Sequence, residues 1–97
     1  MYLRLTRGHV NLAHVDEAIT MIPDIVAAIR ALPGVQDVRV GIDHETGRTL
    51  SLITLDTLEH AQFPRERLGP AFDRLLALGW GPEAPEIYEA TIYETTP

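Results

Sequence analysis

Only four side chains in this sequence titrate near neutral pH: His9, His14, His44 and His60. Cysteine is absent, which removes thiolate nucleophiles, thiolate metal sites and disulfides. All eight basic residues are arginines, so a lysine Schiff base and a P-loop lysine are excluded as well. Of the histidines, His60 is the candidate for catalysis, because it follows a strand at the start of a helical segment and can move a proton. His44 belongs to a turn and is expected to be solvated. His9 and His14 bracket a loop with Asp16 and Glu17 close behind, but an irregular loop does not converge ligands, and no metal site is expected. Arg4 can offer a fork of N–H donors to a carboxylate or phenolate, and Tyr93 can assist if it shares the same face. Arg39 is expected on a strand beside that of Arg4, with ion pairing to Asp37 or Glu89 as its stronger reading. Ser51, the sole serine, lies mid-strand outside any nucleophile elbow, which argues against a serine hydrolase.

The elements that must position these groups follow from periodicity. Tyr2 to Arg7 alternates as a strand, with Leu3 and Leu5 on one face and Tyr2, Arg4 and Thr6 on the other. Val15, Ala18, Ile19, Ile22, Val26 and Ile29 make a helical stripe, with a kink expected at Pro23 and a stop at Leu32-Pro33-Gly34. Val35 to Leu55 reads as a hairpin turning through Asp43 to Arg48, where Gly47 supplies the positive φ and Asp43 caps the turn. Asp56-Thr57-Leu58-Glu59 has capping-box spacing, with Asp56 as the expected cap of a short helix. A second helical piece begins at Pro70 and stops at Gly79, and the last strand is expected over Glu86 to Thr95. The order is β-α-β-β-α-β, a ferredoxin-like α+β fold with an antiparallel sheet, in one domain over residues 1–97.

Composition narrows the partners. Hydrophobic residues make up 45% and charged residues 23%, as in an ordinary globular chain that buries roughly two-thirds of its unfolded surface. A net charge of −6 argues against nucleic acid, and no apolar run is long enough to span a bilayer. Met1-Tyr2-Leu3-Arg4 does not open a signal peptide, so a cytoplasmic location is expected. The third strand carries aliphatics on both faces: Leu50 and Leu52 point one way, Ile53 and Leu55 the other. A second apolar face needs a cover, and the expected cover is a second copy of the chain, giving a homodimer.

Ala31-Leu32-Pro33-Gly34-Val35, the hairpin from Val38 to Arg48, the internal proline of the first helix, and Asp56-Thr57-Leu58-Glu59-His60-Ala61 together resemble the dimeric α/β-barrel superfamily. Within it, the likeness is to the antibiotic biosynthesis monooxygenase-like group, over roughly residues 1–95. The resemblance implies a dimeric barrel with a cavity in each subunit between sheet and helices. It also implies cofactor-independent oxidation of, or proton transfer on, a small aromatic or enolisable compound. In that model His60 moves the proton while Arg4 or Tyr93 steadies negative charge. Heme-degrading relatives use an Asn, a Trp and a His; only His60 has a counterpart in position, so no cofactor is expected. The alternative is a non-catalytic small-molecule binder or structural homodimer of the same fold.

Overall fold

The computed structural model describes residues 1–93. Strand β1 (Tyr2–His9) leads through a single 3-10 turn at Leu12–His14 into helix α1 (Val15–Arg30). Asn11 caps the turn, its side-chain oxygen accepting from the Ala13 amide at 2.9 Å. Asp16 and Glu17 occupy the first turn of α1 and Arg30 the last, each suited to the helix dipole. The helix runs through Pro23, which lies on its exposed side.

Strands β2 (Val35–Ile42) and β3 (Arg48–Leu55) form the expected hairpin. Asp43 Oδ1 accepts from the amides of Glu45 at 2.8 Å and Thr46 at 3.4 Å, and Gly47 takes φ +76°. Helix α2 (Leu58–Ala61), a 3-10 turn at Arg65–Leu68 and helix α3 (Gly69–Ala77) follow, then the short strands β4 (Gly81–Pro82) and β5 (Glu86–Glu89). The cap of α2 is Thr57, whose hydroxyl accepts from the His60 amide at 3.2 Å, one residue beyond the expected Asp56. Asp56 is engaged elsewhere, by the ring of His60. The last strand is also shorter than expected. It ends at Glu89, so Tyr93 lies past it, and the expected extension to Thr95 reaches beyond the described residues.

The sheet is antiparallel in the order β2-β3-β1, with β4 and β5 both pairing the free side of β1. This is the ferredoxin-like arrangement, and it corrects one expectation. Arg4 and Arg39 are not on neighbouring strands, because β3 lies between β1 and β2. They also face opposite ways: Arg4 is level with Ile53 on the helix side, and Arg39 is level with Leu52 on the outer side. Arg39 bonds Asp37 instead, at 3.3 Å.

Helices α1 and α3 cover one face of the sheet. Val15, Ala18, Ile25 and Ile29 of α1 meet Val38, Ile53 and Leu55 of the sheet and Ala71, Phe72 and Leu75 of α3 in a single buried cluster. Phe72 and Trp80 pack edge to face, their ring centroids 5.2 Å apart. No helix among the described residues is long and apolar enough to cross a membrane.

Candidate active site

Alternation along β1 sends Arg4 and Thr6 to the helix side, where both are buried, while Leu3 and Leu5 face outward. A polar pair on the core side of a central strand is unusual, and the structure gives it a place. Between sheet and helices lies a cavity of about 60 Å³. Its floor is a polar strip: Arg4 and Thr6 from β1, and Thr49 and Ser51 from β3, with Ser51 directly opposite Thr6. Its walls are apolar, from Ile22, Ile25 and Ile29 of α1, Val40 and Ile42 of β2, and Phe63, Leu68, Phe72 and Leu75. Trp80 closes one side and donates its indole N–H to the Thr49 hydroxyl at 2.9 Å.

Arg4 is the site's one fully buried charge, only 4% exposed. Its Nη1 donates to the carbonyls of Ala61 at 3.0 Å and Phe63 at 2.5 Å, and its guanidinium lies 3.8 Å from the centre of the Phe63 ring. Those carbonyls are available because the chain leaves α2 there and turns at Pro64. No carboxylate pairs with Arg4 among the described residues. Burial, and then the positive charge of Arg65, push its pKa down to about 10, which still leaves it charged at neutral pH. Arg65 also lines the cavity and donates to the Glu83 carbonyl. Among the described residues no histidine or carboxylate lines this cavity.

His60 sits elsewhere. Its Nδ1 is 2.6 Å from Asp56 Oδ1, and this bond holds the Asp56 carboxyl below the usual carboxylate range. With Nδ1–H given to Asp56, Nε2 remains as the acceptor of the ring. The pair rests against Gly34, at φ +78°, where a Cβ would collide with Asp56 Oδ1 and with the imidazole. His60 borders a second pocket, of about 260 Å³, with Leu32, Pro33, Glu59, Gln62, Phe63, Pro64 and Arg67. Phe63 is common to both pockets.

The three side chains singled out from sequence are therefore dispersed. Arg4 lines the inner cavity, His60 lines the outer pocket, and Tyr93 is 88% exposed beyond β5. Sequence reading missed Arg65, Phe63, Thr6 and Trp80 as site residues. The signal for Thr6 was present: it alternates with Arg4 on the face of β1 opposite two leucines. Among the described residues, no group of three or more His, Asp or Glu side chains converges as a metal site would require.

No protein-family model matches the sequence, and no curated protein sequence matches it. Solved structures do. An antibiotic biosynthesis monooxygenase-like protein from Deinococcus radiodurans superposes with a TM-score of 0.73 at 21% identity, covering 99% of this chain and 98% of that one. SnoaB, a cofactor-independent oxygenase from Streptomyces nogalater, gives 0.68 at 14% identity, covering 95% and 94%. A further monooxygenase-like protein, from Nitrosomonas europaea, gives 0.71 at 12% identity, covering 95% and 100%. At these identities the likeness is one of fold, and the fold is that of the antibiotic biosynthesis monooxygenase-like proteins.

Proposed function

We propose that the inner cavity is the site of a cofactor-independent oxygenase acting on a small enolisable compound. The observation that carries this reading is Arg4, a buried cation without a counter-charge among the described residues, set in the polar floor of an otherwise apolar cavity. Such a group stabilises negative charge that develops on a bound substrate, as an enolate does when a carbon acid ionises. The fold shared with SnoaB supports the oxygenase class. Size favours an enolisable substrate over a polycyclic aromatic one, since 60 Å³ is far below the ~300–1,000 Å³ of pockets for drug-sized ligands.

The chemistry balances without a cofactor. An activated methylene loses a proton, the enolate carbon forms a bond to dioxygen, and the resulting hydroperoxide takes up a proton. Loss of water then leaves a carbonyl, so one oxygen atom enters the product, the other leaves as water, and the substrate supplies all four electrons. Arg4 holds the enolate oxygen, and the apolar walls exclude water from the carbanion. His60, whose Nε2 is available but which lines only the outer pocket, is proposed to exchange the proton with the cavity by way of water. Tyr93 is left without a role in this scheme. The test is oxygen-electrode recording with pentane-2,4-dione. Uptake above the uncatalysed rate, reduced by Arg4→Met, is expected. No uptake with retained ligand binding would favour the non-catalytic binder.

The working unit in this proposal is a homodimer. Leu3, Leu5, Leu50, Leu52 and Tyr88 form one apolar patch on the outer face of the sheet, bordered by the pairs Arg7–Glu86 and Asp37–Arg39. Leu50 is 46% and Tyr88 49% exposed, and a second copy laid face to face would cover both. Light scattering at micromolar concentration tests this directly.

A further inference from the structure

We infer that the substrate of the inner cavity is a small carboxylate, bound through the Nε/Nη2 edge of Arg4. This rests on the cavity being the functional site. A guanidinium carries five N–H donors. Both hydrogens of Nη1 are taken by the Ala61 and Phe63 carbonyls, which leaves the Nε and Nη2 donors without an acceptor among the described residues. Those two groups lie on one edge of the planar head, the edge that meets the two oxygens of a carboxylate in parallel. No polar side-chain atom among the described residues is both sealed from water and unpartnered. The free edge of this buried residue therefore faces space that water can reach, and Arg4 lines the cavity.

The electrostatics point the same way. Arg65 lines the cavity beside Arg4, and their mutual repulsion helps depress the Arg4 pKa. Among the described residues no carboxylate lines the cavity to offset them. A buried charge without compensation is costly, and the anchored Nη1 holds it in place while leaving the compensation to an incoming anion. Thr6 and Ser51, side by side on the central strands β1 and β3, add hydroxyl-bearing side chains to the same floor.

Volume sets the size. An engineered cavity of roughly 150 Å³ admits benzene, with six heavy atoms. By the same ratio a cavity of about 60 Å³ encloses roughly two to three heavy atoms, the carboxylate head of a short acid. The apolar walls suit a short hydrocarbon tail, and the fork fixes which end points to the sheet.

The experiment titrates the full ¹⁵N-labelled chain, at constant ionic strength, with sodium propionate, propionamide and sodium benzoate. The readout is the arginine Nε–H resonances, with Arg4 identified by its loss in Arg4→Lys. Propionate is expected to shift the Arg4 resonance saturably, and its neutral isostere propionamide to leave it unmoved. Arg4→Lys, which keeps the charge but not the fork, should weaken propionate binding by about tenfold or more. Arg65→Gln, farther from the fold's interior, should weaken it several-fold and serves as the second variant should Arg4→Lys fold poorly. Equal response to propionamide, no saturable response to propionate, or benzoate binding as tightly as propionate would overturn the inference. If propionate binds and neither pentane-2,4-dione nor acetoacetate, the matching enolisable acid, consumes oxygen, the oxygenase reading falls and the carboxylate site stands. If the dione is oxidised and propionate neither binds nor competes, the carboxylate site falls alone.

Discussion

Arg4 holds Phe63 twice, stacking on its ring at 3.8 Å and donating to its own carbonyl oxygen at 2.5 Å. One side chain thus fixes both the position and the orientation of the residue that borders both pockets. Replacing Phe63 by Leu should remove the cation–π contact and part of the packing, lowering stability by about 1–3 kcal/mol. Denaturant unfolding measures the loss, and the Arg4 Nε–H resonance should broaden or move in the same variant.

Gly34 and Gly41 make a contrasting pair. Gly34→Ala places a methyl group against Asp56 and His60 at a positive φ, and should cost roughly 1–3 kcal/mol with displacement of the His60 ring. Gly41→Ala meets nothing within 4 Å and should change stability by about 0.5 kcal/mol or less. Unfolding midpoints of the two variants side by side check the prediction.

Asp56 and Asp43 give the protein an acid-sensitive margin. Asp56 is held below the usual carboxylate range by its bond from His60, and Asp43 by the Glu45 amide. Each pKa is lower folded than unfolded, so each contribution is complete above the unfolded value of about 3.9 and disappears as pH falls through the folded value. Asp56→Asn should therefore lower stability at pH 7 and make little difference at pH 2. A stability difference that persists unchanged at pH 2 would contradict the linkage.

Leu52 stands at the middle of the outer apolar patch, level with Leu5 on one side and Arg39 on the other. If the proposed homodimer forms through this face, Leu52→Glu should leave the fold intact and yield a monomer, because like charges would meet across the symmetric interface. Light scattering reads the mass, and circular dichroism confirms that the fold survives.

Much of the architecture was legible because it depends on local periodicity. The stripe from Val15 to Ile29, the Asp43–Gly47 turn and the stop at Gly34 are properties of short segments, and each appears at its place. Strand adjacency is not local. Placing Arg39 beside Arg4 assumed that β1 and β2 pair, whereas the hairpin strand β3 inserts between them. The cap of α2 was misplaced by one residue because Asp56 and Thr57 are both good caps, and only the ring of His60 decides that Asp56 is occupied. The cavity was anticipated through the family resemblance, but not its lining. Phe63, Arg65 and Trp80 come from irregular segments between elements, where periodicity offers no guide to which way a side chain points.

The buried Gly47 faces Val10 so closely that a Cβ there would run into the Val10 carbonyl, and its own carbonyl accepts from the Val10 amide at 2.8 Å. This contact works as a stop for the alignment of two strands far apart in sequence, since it pins the exit of β1 to the hairpin tip. Sliding β1 by a single position along β3 would exchange its faces, bringing Leu3 and Leu5 indoors and turning Arg4 out to water. The glycine at the tip is thus the reading frame of the sheet, and through it a residue remote from the cavity decides which side chain the cavity contains.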